Sequence, residues 1–310
     1  MEFFHKVPHI NFLGLRKFAM TMSVVVLIAA IASLAVRGLN FGVDFTGGVT
    51  VEVAYPGAAD LGKVRAALAA AGYDKAIAQN YGTPQEVLIR LQTAKGESDK
   101  DAGSKVLAAL QKSEPNVKLM SVNFVGPEVG KDLANKGSIA FFATLIMILL
   151  YIVWRFEWRL AVGAVAATLH DVVFVVGFFS LLHIEFDLNV LASVLAVMGY
   201  SVNDTVVVFD RIREDFRKMR KGTPIEIMNA AINETLSRTI ITSGVTLLVV
   251  IALLILGGPI LHGFSLALFV GIIVGTYSSI YIASATALLL GVSKSDLMPV
   301  QKDKVVDDMP

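Results

Sequence analysis

The chain has 310 residues, of which 55% are hydrophobic and 17% charged, and its 27 Lys and Arg nearly balance 26 Asp and Glu for a formal charge of +1. That apolar excess is above that of an ordinary soluble domain and points to lipid. With no cysteine, disulfides, thiolate metal sites and cysteine nucleophiles are excluded.

A membrane span needs roughly 20 mostly apolar residues. Residues 1–17 read as a cytoplasmic segment, with Lys6, Arg16 and Lys17 ahead of a first span at Phe18–Val36. A cleaved signal peptide is the alternative there, but its apolar core would be only about 7–15 residues. The run here is longer and five more follow it.

Residues 37–137 are far more polar. A glycine-dense junction, Asn40 to Gly48, carries Asp44, Thr46, Gly47 and Gly48. Its plain physical reading is a turn needing positive φ at Gly47 or Gly48, with Asp44 as a cap. Val49–Val53 alternates like a half-buried strand, and Ala59–Ala71 has helical spacing through Leu61, Val64 and Leu68. Ala76–Tyr81 and Glu86–Leu91 read as strands joined by a turn at Gly82-Thr83-Pro84, Ser104–Leu110 as a helix and Val117–Val125 as a last strand. Strand, helix, strand, strand, helix, strand is the order of a small ferredoxin-like α+β domain. It holds no ligand constellation, so a binding or docking surface is its default role.

Five further spans are expected at Ser138–Trp154, Leu160–Leu182, Leu188–Phe209, Thr239–Leu256 and Phe264–Leu290, within a region 138–290 that includes a basic segment 211–237. Thr223-Pro224-Ile225-Glu226 is a capping box opening an amphipathic helix along the cytoplasmic face. Gly271 and Gly275 form a small-residue seam for close helix approach. Residues 291–310 read as a polar cytoplasmic tail. Lys and Arg concentrate before the first span, between the second and third and after the fourth, whereas His183–Asp187 and Gly257–Pro259 carry none. By the positive-inside rule both termini are cytoplasmic and the domain lies opposite. The basic segment is thus a topology signal, with no nucleic acid expected as partner.

Ionisable groups within spans are costly and need a partner, a wet cavity or a function. In the fourth span Tyr200, Ser201 and Asp204 share a face, with Asn203 and Thr205 alongside; Arg238, Thr239 and Thr242 enter the fifth span, and His170 and Asp171 lie midway along the third. Three readings compete. The residues could be static interhelical glue. Asp171 and Asp204 could form an intramembrane aspartyl-protease dyad, although the usual flanking glycines are missing. Or Asp204 gains and loses a proton while Arg238, in reach of a direct or water-bridged contact, and the threonines adjust around it. No nucleotide or metal motif is present, and no hydrolase site is expected.

Taken together, Asp44-Phe45-Thr46-Gly47-Gly48, His170-Asp171, the run Gly199 to Glu214 and Arg238 to Ser243 resemble the SecF members of the SecD/SecF family, in the resistance-nodulation-division superfamily. The resemblance implies a six-span protein of the bacterial inner membrane with a periplasmic domain. It implies partnership with SecD, the SecYEG channel and a translocating preprotein, with YajC a further candidate and lipid around the spans. It also implies that the proton-motive force drives late translocation, with transported protons instead of a cofactor and with Asp204 and Arg238 in the proton path. A half-size small-molecule or lipid exporter and a non-energised structural partner of SecD are the alternatives.

Overall fold

A computed structural model describes residues 8–74, 76–91, 99–219, 221–293 and 296. Lys6, Arg220 and most of the expected tail lie outside them. Six helices among the described residues are long and apolar enough to cross a membrane: Phe12–Arg37, Pro127–Arg155, Trp158–Leu182, Leu188–Lys218, Pro224–Leu256 and Ile260–Leu289. They are called the first to sixth spans below. About half of each apolar stretch is buried in the third, fourth and sixth, against 22%, 11% and 17% in the first, second and fifth. The former three are therefore the interior of the bundle. Without a water-driven hydrophobic force between spans, close packing holds them together. A Cβ at Gly177 would lie 2.3 Å from the Cβ of Ala30, and one at Gly271 would lie 2.2 Å from Val197, so both glycines are contact points that no larger residue fits.

The span ends differ from the expected ones where polar residues continue a helix. The second span begins at Pro127, 11 residues before Ser138, with Pro at the first turn, where its missing N–H costs nothing. The capping box at Thr223 and Glu226 forms, and the amphipathic helix it opens runs unbroken into the fifth span over 33 residues, about 50 Å of rise. The basic segment 211–237 therefore falls mostly in two helices, Leu188–Lys218 and Pro224–Leu256, the second opened by the cap. The sixth span contains a π-helical turn, Ser279–Ala283, which hydropathy does not register.

Between the first two spans lie β1 (Asn40–Phe41), β2 (Gly48–Ala54), β3 (Ile77–Tyr81), β4 (Thr83–Leu91) and β5 (Lys118–Val125), with helices Leu61–Ala70 and Asp99–Gln111. The strands β3-β4-β2-β5 form one antiparallel sheet in that order. Val49, Val51, Val53, Val87, Ile89 and Leu91 point to one face and bury against Val64, Leu68, Val106 and Leu110 of the two helices. Leu88 and Arg90 point the other way. The loop between the third and fourth spans contributes β6 (Glu185–Phe186), which pairs in parallel with β1: Asn40 opposite Glu185 and Phe41 opposite Phe186.

Candidate functional site

Fourth-span Asp204 is 5% exposed. Thr239 of the fifth span donates to its Oδ1 at 2.8 Å, and Ser279 of the sixth donates to its Oδ2 at 2.5 Å. Asp171 is fully enclosed. Its Oδ1 lies 2.9 Å from His170 Nδ1, while Ser278 donates to Oδ2 at 2.7 Å and Ser201 donates to the same oxygen. Four of these five partners are neutral hydroxyls, and the fifth is a histidine that is charged only when protonated. A third set of bonds runs beside them: Tyr200 Oη donates to Ser243 Oγ at 3.0 Å, and Ser243 Oγ lies 2.8 Å from Thr276 Oγ1.

Helical spacing explains why the cluster assembles. Tyr200, Ser201 and Asp204 fall on one stripe of the fourth span and Thr276, Ser278 and Ser279 on the sixth. The seam at Gly271 and Gly275 brings these two spans together, with Gly275 set against Ser201. The sixth-span serines complete the cluster, and sequence reasoning did not single them out as candidate site residues. The signal that could have found them is two adjacent hydroxyls, Ser278 and Ser279, continuing the small-residue seam of Gly271 and Gly275.

The remaining expected positions are placed differently. No direct Asp204–Arg238 hydrogen bond occurs among the described residues. Arg238 is exposed and lines a cleft of about 680 Å³ with Val207, Asp210, Arg211, Glu214, Glu234 and Thr235. Both oxygens of Asp204 are taken by nearer hydroxyls, and the long guanidinium stem reaches toward the polar end of its helix. Thr242 bonds back to the carbonyls of Arg238 and Thr239. Asn203 is exposed on the isolated chain. Thr205 Oγ1 is buried with no partner among the described residues.

The cleft is rimmed by ion pairs. Arg155 holds Asp210 through one nitrogen at 2.6 and 2.7 Å, and Arg213 reaches Glu157 at 3.4 Å. Arg211 pairs with Glu234 and, at 2.8 Å, with Glu214. The basic residues read as topology signals thus also tie the ends of the second to fifth spans together.

At the opposite end of the bundle the glycine junction is built as a joint. Gly47 and Gly48 have φ of +70° and +135°, and a Cβ at Gly48 would meet the Leu91 carbonyl oxygen at 2.6 Å. Asp44 caps, but not its own turn: its Oδ2 accepts from the Leu188 N–H at 3.0 Å, at the start of the fourth span. Thr46 Oγ1 donates to the Gly42 carbonyl. Arg90 donates to Phe41 O at 2.7 Å and Asn40 Oδ1 at 3.2 Å, and its guanidinium lies 3.5 Å from Glu185. Gln79 also donates to Glu185, at 3.1 Å. Burial pushes Glu185 above the usual carboxylate range, with the Arg90 charge opposing the shift and Asp187 and Asp44 adding to it.

Fold and site together define a polytopic helical membrane protein with hydroxyl-bound carboxylates sealed in its core and a folded domain jointed to one end of its bundle. Residues 105–293 match the family described as "Protein export membrane protein SecD/SecF, C-terminal", and residues 32–55, which include the glycine junction, match "SecD/SecF GG Motif". The chain belongs to the SecD/SecF family. It is 50% identical to the protein translocase subunit SecF of Vibrio alginolyticus, across 97% of each chain. It is 45% identical to that of Pseudomonas aeruginosa, across 98% of this chain and 99% of that one. Among solved structures, SecDF of Thermus thermophilus, a translocon-associated membrane protein, superposes with a TM-score of 0.83 at 36% identity. That match covers 91% of this chain and 39% of SecDF, so the chain spans well under half of that larger protein.

Proposed function

We propose that this chain is a SecF-like subunit of bacterial Sec protein export, which together with SecD uses the proton-motive force to promote late translocation and release of preprotein delivered by SecYEG. It sits in the inner membrane with both termini cytoplasmic, and YajC is a further candidate in the complex. The observation that carries the reading is the setting of Asp204. A carboxylate held only by neutral hydroxyls can take up and release a proton without breaking an ion pair. One helical turn further along the fourth span, Val207 already lines the charged cleft. That cleft offers water and carboxylates for proton release on the cytoplasmic side, with Arg238 at its inner edge as an electrostatic gate.

The joint supplies the transmission. Movement of the third and fourth spans carries β6 and the Leu188 helix start, and through Arg90, Asp44 and the β1–β6 pair it reaches the domain. The sheet order supports reading that domain as ferredoxin-like, and the placement of basic residues supports putting it in the periplasm. Asn203, polar and exposed in the fourth span, supports a missing partner half against that face.

The test is release of preprotein from energised inner-membrane vesicles carrying wild-type protein or Asp204→Asn, matched for expression and partner assembly. Loss of only the gradient-dependent step is expected. Normal, gradient-responsive release by the variant would make the chain a structural partner of SecD.

A further inference from the structure

Asp171 is the most enclosed carboxylate among the described residues, and the proton cycle described above does not use it. It sits midway along the third span. The fourth span contacts it through Ser201, one turn before Asp204, and the sixth through Ser278, the residue next to Ser279. From its own helix His170 meets it at 2.9 Å, and the His170 ring lies 6.3 Å from that of Tyr277 on the sixth span. The first span reaches this group through Tyr277, whose Oη lies 3.0 Å from the Ser23 hydroxyl and donates to the Ala19 carbonyl at 2.8 Å. No Lys or Arg contacts the Asp171 carboxylate among the described residues, so only a proton, held on the carboxyl or shared with His170, can offset its charge.

The two carboxylates are thus linked twice. Ser201 and Asp204 are one turn apart on one helix, and Ser278 and Ser279 are adjacent on the other. Every link ends in a hydroxyl that both donates and accepts. Ser279 also begins the π turn, a helix irregularity that recurs at functional sites, and its hydroxyl divides its bonding between Asp204 and the Thr276 carbonyl at 3.0 Å. Counted from the start of the fourth span at Leu188, Ser201 comes before Asp204, so Asp171 lies on the outer side of it.

We propose that Asp171, sharing its proton with His170, is a second proton-holding site in series with Asp204 and on its outer side. The transfer balances as one protonated Asp171 and one ionised Asp204 becoming one ionised Asp171 and one protonated Asp204. No electron moves and no other reactant is needed. The proposal rests on the proton-driven reading above but fails separately from it.

The experiment is infrared difference spectroscopy of carboxylic-acid bands in the lipid-embedded complex with its partner, titrated over pH. Wild type, Asp204→Asn, Asp171→Asn and Ser278→Ala are compared. Two protonated-carboxyl bands are expected, one lost in each Asn variant, and proton flux into vesicles falls at least tenfold in Asp171→Asn. Ser278→Ala, which keeps both carboxyls, shifts the midpoint of the Asp171 band and leaves the other band in place. A band lost in Asp204→Asn and none in Asp171→Asn overturns the proposal and leaves the Asp204 reading standing, with Asp171 then a permanent ion pair to His170. If Asp171→Asn does not assemble, an unshifted Asp171 band in Ser278→Ala overturns it equally.

Discussion

Two regions of the chain set their carboxylates among opposite kinds of partner. Within the bundle, Asp204 and Asp171 receive hydroxyl hydrogen bonds, and among the described residues neither oxygen pair touches an arginine or lysine. At the outer joint, Glu185 is gripped by Arg90 and Gln79, and Asp44 is fixed on a helix N-terminus. A carboxylate among neutral donors can change its protonation without stranding a cation, whereas protonating one paired to a guanidinium leaves that cation without its partner. The first arrangement suits a site that switches; the second suits a joint that must hold while something else moves. The same residue type serves both, and its partners decide which.

The comparison can be broken most severely at the glycines. Gly48→Ala at the joint adds positive-φ strain and a clash with the Leu91 carbonyl, and should cost on the order of 3 kcal/mol. Gly199→Ala in the fourth span meets nothing within 4 Å and should change stability by less than about 0.5 kcal/mol. Denaturant titration of the two purified variants checks the contrast, and equal losses would contradict it.

The next effect is at Arg90. Arg90→Ala leaves Glu185 largely buried without its cation, a change that costs about 3–5 kcal/mol at a fully buried pair and about 2 kcal/mol here because both groups keep slight solvent access. Adding Glu185→Gln should recover part of the loss, measured as a double-mutant cycle on melting temperature. Thr239→Val, which removes one donor from Asp204, should cost only about 0.6 kcal/mol, the usual size for a hydrogen bond between spans. Its larger consequence should be a changed pH profile of gradient-dependent release. A variant that lost stability but kept the wild-type profile would show that the Thr239 bond is packing.

The smallest effect is pH-dependent stability of the joint. Burial is the main cause of the raised position of Glu185, so the folded state binds that proton more tightly than the unfolded chain does. Its contribution is therefore fully present below the ordinary carboxylate range and is lost as pH rises through the raised folded value. Asp187 is raised in the same direction, again mainly by burial. Melting temperatures over a mildly acidic to neutral series should fall with rising pH, and Glu185→Gln should flatten part of that slope.

The membrane architecture and the polar stripe of the fourth span were legible because lipid imposes a length rule on spans and makes each intramembrane polar residue conspicuous. The strands Val49–Val53 and Glu86–Leu91 were legible from alternation alone. The joint was not. A two-residue pair such as β1–β6 has no periodicity to read, and Asp44 caps a helix 144 residues away. Arg90, on a strand face that alternation marks as outward, looks like an ordinary solvated residue until the Glu185 loop covers it. Ser278 and Ser279 were hidden for another reason: small hydroxyl residues serve packing and hydrogen bonding equally, and only the position of Asp171 and Asp204 opposite them separates the two.

The most direct measurement is proton movement itself. The complex of this chain with its partner half, reconstituted in vesicles enclosing a pH-sensitive dye, is given an inward proton gradient, with wild type and Asp204→Asn compared at equal incorporation. The account predicts gradient-driven acidification in wild type that the Asn variant abolishes. Equal acidification in both would contradict it, leaving the hydroxyl-bound carboxylates as part of the packing.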